Sequence, residues 1–192
     1  GTNRLISCKD LLIPGRHNLA NCLAALAIGY GLELPKESMI NALKSFPGLP
    51  HRTEFITKLN NISWYNDSKA TNIGATQAAL KGMHRGDSRR AVIILGGDCK
   101  NANFDELTLT LAECARAAVL IGQDAEKIKS SIPDSCKISI AKNMDDAVKK
   151  AALLAKPEDH ILLSPACASF DMFSNFSERG NAFKDSVRRL IS

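Results

Sequence analysis

Nine consecutive residues, WYNDSKATN at 64–72, bring an aromatic pair, a carboxylate, an ammonium group, two aliphatic hydroxyls and two amides into one short stretch. Asp67 and Thr71 are residue types that cap helices and form turns. Lys69 opposes the positive end of a helix macrodipole unless a bound anion lies beside both. The residues alone therefore leave two interpretations equally open, an anion-binding loop and a capped turn.

Two further polar runs follow apolar stretches that are typical of buried strands. In LGGDCKN (95–101) the glycines permit close backbone approach, Asp98 offers a carboxylate and Lys100 a mobile cation. In LLSPACASFDMFSNF (162–176), Ser169 stands where it can donate to an anionic oxygen near a helix N-terminus. Neither run contains G-x-G-x-x-G or G-x-S-x-G, and the glycine pair taken alone favours a simple strand-to-helix turn.

Two runs at the starts of predicted elements combine a histidine with an arginine or amides. In GRHNLAN (15–21), Asn18 and Asn21 lie one helical turn apart and can present two amides to a base or a ribose. In LPHRTE (49–54), Arg52 has the fork geometry that suits phosphate. N-capping by Asn18 and a surface position for Arg52 are the competing interpretations.

The cysteines and phenylalanines suggest structural roles. Six cysteines lie far apart, without C-x-x-C or a histidine partner, so the pattern favours reduced thiols over a metal site or disulfides. Cys167 has no obvious base and is predicted to be an inert thiol. A stripe with a period of three is predicted to belong to the core, namely Phe170, Phe173 and Phe176.

Periodicity predicts elements that would gather the polar runs at one edge of a sheet. A hairpin is predicted around Asn60-Asn61, and short apolar strands alternate with helices thereafter, which is typical of a mainly parallel α/β sheet. Ligands of such sheets bind beyond the carboxyl ends of the strands. Helices are predicted over 17–31, 35–46, 73–82, 106–117, 124–131, 144–155 and 170–191, and strands over 52–59, 62–65, 91–95, 118–122, 137–140 and 160–164.

Composition excludes several classes of protein. The 192 residues are 45% hydrophobic and 23% charged, as in soluble globular proteins, and no run approaches the length of a membrane span. The net charge of +5 is scattered, and aromatic residues make up only 5%, which disfavours nucleic acid. The N-terminus lacks a signal-peptide pattern, so we expect a cytoplasmic protein.

Five of these runs together are similar to the C-terminal half of the D-glutamate-adding Mur ligases of peptidoglycan synthesis, in the same order and spacing. They are GRHNLANCLAAL, GLPHRTE, WYNDSKATNIGATQAAL, ILGGDCKNANF and LLSPACASFDMFSNFSERGNAF. The resemblance implies a Rossmann-like C-terminal domain over 48–192, preceded at 1–47 by the last helices of a central ATPase domain. It also implies that the N-terminal domain and most of the central domain, with its G-x-x-x-x-G-K-[ST] loop, lie upstream of residue 1.

The same resemblance implies a reaction and its participants. ATP and Mg²⁺, held mainly by upstream parts, would activate UDP-N-acetylmuramoyl-L-alanine as an acyl phosphate, which the amine of D-glutamate attacks. Matched to the family's motifs, the ATP-binding residues would be Asn18, Asn21, Arg52 and Asp67. The catalytic residues would be Asp67 and Lys69, and the glutamate-binding residues Thr71, Lys100, Ser169 and Phe176, with no metal ligand among them.

One residue departs from the family's pattern, and two other functions stay open. The family's motif usually reads G-G-D-G-K, and this chain has Cys99 in place of the glycine at the fourth position. The turn must shift if that glycine has a positive φ. A stand-alone Rossmann-like module that binds a nucleotide or an acidic metabolite without catalysis is the main alternative, and nucleic-acid binding ranks last. As part of a ligase, the chain is expected to be inactive alone.

Overall fold

The computed structural model of the chain describes residues 4–84, 86, 88–100 and 102–191, so Asn101 and the outermost residues of both predicted domains lie outside it. A short 3₁₀ turn at Cys8–Asp10 comes first. The helices are α1 (Arg16–Gly31), α2 (Lys36–Ser45), α3 (Ile73–Met83), α4 (Asp105–Cys114), α5 (Ala125–Lys129), α6 (Met144–Leu154) and α7 (Phe176–Ile191). The strands are β1 (Glu54–Leu59), β2 (Ile62–Asn66), β3 (Ala91–Gly96), β4 (Ala115–Ile121), β5 (Lys137–Ala141) and β6 (His160–Leu163).

The six strands form one sheet in the order β1-β2-β6-β3-β4-β5. Among these six strands β1 and β2 pair antiparallel, and β2, β6, β3, β4 and β5 run parallel to one another. The expected mainly parallel α/β sheet flanked by helices is thus confirmed. Its middle strands are buried on both faces, as their unbroken apolar runs predict.

The β1–β2 hairpin forms where its turn residues permit it. Asn60 and Asn61 have φ values of 50° and 62°, the left-handed pair that a two-residue type I′ turn requires. Asparagine adopts this conformation more readily than most residues, so the predicted hairpin is confirmed. The second strand runs one residue further than expected, to Asn66.

Helices cover the two faces of the sheet in separate groups. Ile93 and Leu95 of β3 point toward one core, to which α3, α4 and α5 contribute. Val92 and Ile94 point the opposite way into a second core, with α6 and α7. This alternation follows from the two-residue period of a strand.

Two element boundaries were predicted wrongly. The helix expected over 106–117 ends at Cys114, and the next residues already belong to β4, where Ala115 and Ala117 pair with β3. The last helix begins at Phe176, and Phe170 precedes it with 67% of its surface exposed. The prediction that Phe170 belongs to the core is therefore wrong.

The N-terminal helices form as predicted, but much of their apolar surface lies open. Cys22 is buried in α1, whereas the next residue, Leu23, is 67% exposed. Helix α1 is apolar on several sides and contacts only α2 and α3 to any extent among the described elements. A helix of that kind is normally covered all round.

Chain order reverses in the middle of the sheet, between β6 and β3. From β3 the chain proceeds outward through β4 to β5, and then crosses back to β6 on the other side of β3. The helix after β3 lies on one face and the helix after β6 on the other. Such a switch point opens a crevice at the carboxyl ends of its strands, which is where ligands bind in open α/β sheets.

Candidate functional site

The three polar runs meet in one cleft at this switch point. They follow β2, β6 and β3, which are neighbours in the sheet and end at the same edge. An open cavity of about 640 Å³ is lined by all three loops. All of the residues expected to bind the amino acid line it, namely Thr71, Lys100, Ser169 and Phe176. The structure thus brings together four side chains that are up to 105 positions apart, from 71 to 176.

One glycine, Gly97, allows the loops after β3 and β6 to touch. Gly97 has a φ of 131°, and a Cβ there would lie 2.1 Å from the carbonyl oxygen of Ala168. One residue on, Asp98 and Ala168 exchange two backbone hydrogen bonds of 3.0 and 2.9 Å, as in an antiparallel bridge. The predicted close backbone approach is confirmed, and its partner is the SPACAS loop.

Cys99 and Cys167 lie opposite each other beside this bridge and are joined as a disulfide, with their Cα atoms 4.5 Å apart. The expectation of reduced thiols, and of an inert Cys167, is therefore wrong for this pair. The reason is topological, because 68 positions separate the cysteines while their loops follow adjacent strands. After Gly97, the next residue of this turn with a positive φ is Lys100, at 45°, so Cys99 occupies its position without a left-handed backbone.

Asp67 is a buried carboxylate at the start of the loop after β2. Its Oδ1 accepts a hydrogen bond of 3.0 Å from the Thr53 amide, and its Oδ2 accepts one of 2.8 Å from the Ser164 hydroxyl. Burial raises the pKa of Asp67 to about 6, although both hydrogen bonds and the charge of Arg52 favour the ionised form. Near neutral pH this carboxylate is therefore charged but poorly solvated.

Lys69 lies exposed in the same loop, over an aromatic ring. Its Nζ is 3.9 Å from the centroid of the Phe176 ring, a cation–π contact between the loops after β2 and β6. The Lys69 amide donates to the His51 carbonyl at 3.0 Å, which holds the backbone while the ammonium group faces solvent. The Lys69 cation thus stands beside Phe176, which lines the cleft.

The two interpretations of this loop can now be separated. Helix α3 is capped by Asn72, whose Oδ1 accepts from the Ala75 amide at 2.9 Å. Asp67 makes its hydrogen bonds elsewhere, with Thr53 and Ser164. Capping therefore accounts for one residue of the run and leaves Lys69 and Thr71 at the cleft.

Arg179, which the motifs did not single out, holds two of the loops together. It is 2% exposed. Its guanidinium donates to the hydroxyl and carbonyl of Ser68 at 3.0 Å each, and to the carbonyls of Cys167 and Ala168 at 3.1 and 3.2 Å. Burial lowers the pKa of Arg179 to about 10, which still leaves it charged at neutral pH. In the sequence it is one arginine of a polar helix, without any local sign of burial.

A second cavity, of about 410 Å³, contains the residues expected on the nucleotide side. Asn18, Asn21 and Arg52 line it together with apolar side chains of α1 and α2. The Asn18 amide donates to the Pro14 carbonyl at 2.6 Å, and Gly15 occupies the N-cap of α1, so the capping role considered for Asn18 is wrong. Amides beside an apolar wall and an arginine fit a base with its phosphates.

The loop that begins at Asp67 connects the two cavities. Asp67 holds the amide of Thr53, the neighbour of Arg52 in the nucleotide-side cavity. Four residues later Thr71 lines the cleft. Among the described residues, no group of three or more His, Cys, Asp or Glu side chains clusters as a metal site would. Nor does any helix in the described ranges combine the length and apolarity that a membrane crossing needs.

The fold and the cleft define a class of protein, an α/β domain that binds its ligand at the switch point of a mainly parallel sheet. A sequence profile described as the Mur ligase glutamate ligase domain matches residues 51–167. The chain therefore belongs to the Mur ligase family.

Individual relatives agree with that assignment. The UDP-N-acetylmuramoylalanine–D-glutamate ligases of Nitrosococcus oceani and Thiobacillus denitrificans are 47% and 50% identical to it over the whole chain. The chain spans 42% and 40% of the lengths of these two proteins.

Solved structures share the fold at low sequence identity. The UDP-N-acetylmuramate–alanine ligase of Thermotoga maritima superposes with a TM-score of 0.66 at 17% identity, over 94% of this chain and 40% of that one. The folylpolyglutamate synthase of Mycobacterium tuberculosis, complexed with ADP, superposes with a TM-score of 0.64 at 17% identity, over 95% of this chain and 41% of that one. Similarity at this level of identity supports the fold alone.

Proposed function

We propose that this chain supplies the amino-acid-binding part of an ATP-dependent ligase that joins D-glutamate to UDP-N-acetylmuramoyl-L-alanine in peptidoglycan synthesis in the cytoplasm. The observation that carries the proposal is the convergence of Thr71, Lys100, Ser169 and Phe176 on one cleft. The relatives named above, similar over the whole chain, support the choice of substrate.

The cleft suits a small dicarboxylate. Lys100 offers an ammonium group on an exposed, flexible stem, and the hydroxyls of Thr71 and Ser169 offer donors to carboxylate oxygens. Ser169 is only 3% exposed and lies next to the Asp98–Ala168 bridge, so its position is fixed by the backbone. Phe176 supplies an apolar wall for the methylene groups of the ligand.

The nucleotide-side cavity suits ATP, which would supply the activation of the acceptor carboxylate. Asn18 and Asn21 would meet the base, and Arg52 would face the phosphate or ribose. Asp67 fixes the backbone beside Arg52 through Thr53 and is the residue that we assign to the ATP side. Lys69 would place a positive charge between the two cavities, where anionic oxygens from both ligands meet. No set of Mg²⁺ ligands stands in the described residues, and we derive no step through that ion.

The open apolar surface of α1 supports the view that the chain acts as part of a longer protein. Four large side chains of this region are at least 65% exposed, namely Leu23, Ile28, Tyr30 and Leu32. Residues 1–47 would then be the end of the preceding central domain, as the family resemblance implies. A surface of this kind in a stand-alone module would promote association.

The test compares the two sides of the site in the full-length ligase. Lys100→Ala or Ser169→Ala is expected to raise the KM for D-glutamate about tenfold or more, with little change in the KM for ATP, because each removes a donor to a carboxylate. Asp67→Ala is expected to raise the KM for ATP instead. Unchanged glutamate kinetics in both Lys100 and Ser169 variants would remove the cleft from the proposal.

The isolated chain gives a second, independent check. We expect no amide formation or ATP hydrolysis by the pure chain. Calorimetry with D-glutamate and with ADP then addresses the stand-alone alternative. Submicromolar ADP binding by the isolated chain would favour a self-sufficient nucleotide module over part of a ligase.

A further inference from the structure

We infer that Cys99 and Cys167 form a reversible thiol–disulfide site that responds to peroxides and controls how rigidly the glutamate cleft is held. The inference rests on the proposed function for its effect on glutamate, and on geometry alone for the oxidation itself. The relevant observations are the positions of the two backbones, the burial of the two side chains and the residues that follow them.

The two backbones hold Cys99 and Cys167 at a separation that permits a disulfide, whether or not the sulfurs are bonded. Asp98 and Ala168 form a hydrogen-bonded antiparallel pair, so Cys99 and Cys167 occupy the adjacent, non-hydrogen-bonded positions. Their Cα separation of 4.5 Å is the ordinary spacing of such a pair, and it lies within the range that a disulfide spans. The reduced pair therefore needs no backbone movement to become oxidised.

Charged side chains fix both backbones. The Cys99 amide donates to Oδ2 of Asp124 at 2.9 Å, and the Cys167 carbonyl accepts from the buried Arg179 at 3.1 Å. The two thiols are thus held together by contacts outside the disulfide.

Access to the pair runs through the cleft. Cys99 lines the cavity and is 8% exposed, whereas Cys167 is 1% exposed. A small oxidant such as hydrogen peroxide that enters the cleft meets Cys99 first. Glutamate would occupy the same cavity, so a bound substrate and the oxidant compete for this approach.

The chemistry balances with one peroxide per pair. The Cys99 thiolate attacks a peroxide oxygen, the O–O bond breaks, and protonation of the leaving hydroxide gives a sulfenic acid and water. The Cys167 sulfur then attacks the Cys99 sulfur, and the hydroxyl leaves as water with the thiol proton. Both sulfurs are oxidised by two electrons in total, and the peroxide is reduced. A dithiol reductant reverses the change by thiol–disulfide exchange and is itself oxidised to a disulfide.

The link matters because ligand residues follow the cysteines directly. Lys100 comes immediately after Cys99, and Ser169 comes two residues after Cys167. In the oxidised state a covalent bond joins the loops that carry them, so less ordering remains to be done when glutamate binds. We therefore expect the oxidised ligase to have a KM for D-glutamate about threefold lower than the reduced ligase.

Oxidation is tested first on the chain itself. After treatment with hydrogen peroxide, blocking of free thiols under denaturing conditions and digestion, mass spectrometry is expected to show a Cys99–Cys167 cross-linked peptide that a dithiol abolishes. The remaining cysteines should carry the blocking group, namely Cys8, Cys22, Cys114 and Cys136. Free Cys99 and Cys167 after this treatment would overturn the inference, whatever the ligase does.

The effect on the cleft is tested in the full-length ligase, oxidised and reduced. Cys99→Ser, and Cys167→Ala from the other loop, should make the KM for D-glutamate independent of redox state. Cys8→Ser is the matched control and should keep the threefold difference, because Cys8 is exposed and lies in the 3₁₀ turn. A KM that is unchanged or higher after oxidation, or a difference that persists in Cys99→Ser, overturns the proposed control. A cross-linked protein without any glutamate-dependent turnover would refute the proposed function and not the oxidation site.

Discussion

The buried carboxylate of Asp67 gives the site a measurable pH dependence, which Asp67→Asn should remove. Burial raises the pKa of Asp67 from 3.8 to about 6, so the folded chain holds this proton more tightly than the unfolded chain does. Below pH ~3 the group is mostly protonated in both states and contributes almost nothing. As the pH rises from there through 6, the folded state must accept a poorly solvated charge, and stability falls.

The magnitude follows from the shift. A difference of about two pKa units corresponds to roughly 3 kcal/mol of destabilisation once the pH is above ~7. About 1.3 kcal/mol of this develops between pH ~5 and ~7, the range in which the experiment is simplest. Asparagine keeps a carbonyl oxygen that can accept from the Thr53 amide, and the Ser164 hydroxyl can turn toward Thr76, whose Oγ1 is 3.2 Å away.

The assay is urea unfolding of the chain and of the Asp67→Asn variant across this pH range. Subtraction removes the titration of groups that both proteins share. One of these is His17, which lies 3.5 Å from the Thr53 hydroxyl and whose pKa is lowered by burial. We expect the free energy of unfolding of the variant to gain about 1.3 kcal/mol relative to the wild type from pH ~5 to ~7.

One control sharpens the result. Ser164→Ala removes a hydrogen bond that favours the ionised carboxylate, so the fall in stability should begin at the same pH as in the wild type, where the unfolded chain loses its proton, and should continue to higher pH. A difference between wild type and Asp67→Asn that stays flat between pH ~5 and ~7 would refute the desolvation of Asp67.

Three further substitutions test the supports of the site by urea unfolding. Arg179→Lys should lower the free energy of unfolding by about 2–4 kcal/mol, because an ammonium group cannot donate to acceptors on both loops. The control is Arg188→Lys, exposed on the same helix, which should change the free energy of unfolding by less than about 0.5 kcal/mol. Equal effects would contradict the role of Arg179. Asn72→Ala should cost about 1 kcal/mol, like Asn143→Ala at the equivalent cap of α6, and no loss in either would refute the capping. Gly97→Ala should lower the free energy of unfolding by more than about 3 kcal/mol or prevent folding. The control is Gly31→Ala, which should be neutral or stabilising because no atom lies within 4 Å of the added Cβ. A stable Gly97→Ala chain would show that the loops do not approach as described.

The local elements could be predicted where local physics decides them. The Asn60-Asn61 turn is an example, since both residues tolerate the left-handed backbone that the hairpin needs. The boundary between α4 and β4 was wrong because Ala115 and Ala117 have high helix propensity and nothing local marks them as strand. Their pairing with β3 in the middle of the sheet overrides that propensity.

The residues of the candidate site could be predicted from the sequence, but the contacts between its loops could not. Each motif follows a strand, so its position at the carboxyl edge could be inferred from the alternation of elements. The insertion of β6 between β2 and β3 is a matter of strand order, which periodicity does not reveal. The contact of Cys99 with Cys167, and the buried position of Arg179, both depend on that order and were therefore missed.

The strand order also explains why two charged side chains are buried in the site without pairing with each other. Asp67 binds the loop after β2 to Thr53 and Ser164, and Arg179 binds the next residue of that loop, Ser68, to the loop after β6. A direct ion pair would satisfy both charges but would leave the loop carbonyls and amides without these partners. Each charged side chain instead makes hydrogen bonds to neutral groups of different loops. These bonds hold the carboxyl edges of β2 and β6 at a fixed separation. Loss of either charge should therefore change the width of the cleft, and the effects of the two substitutions on the free energy of unfolding should not add, since both act on the same loop.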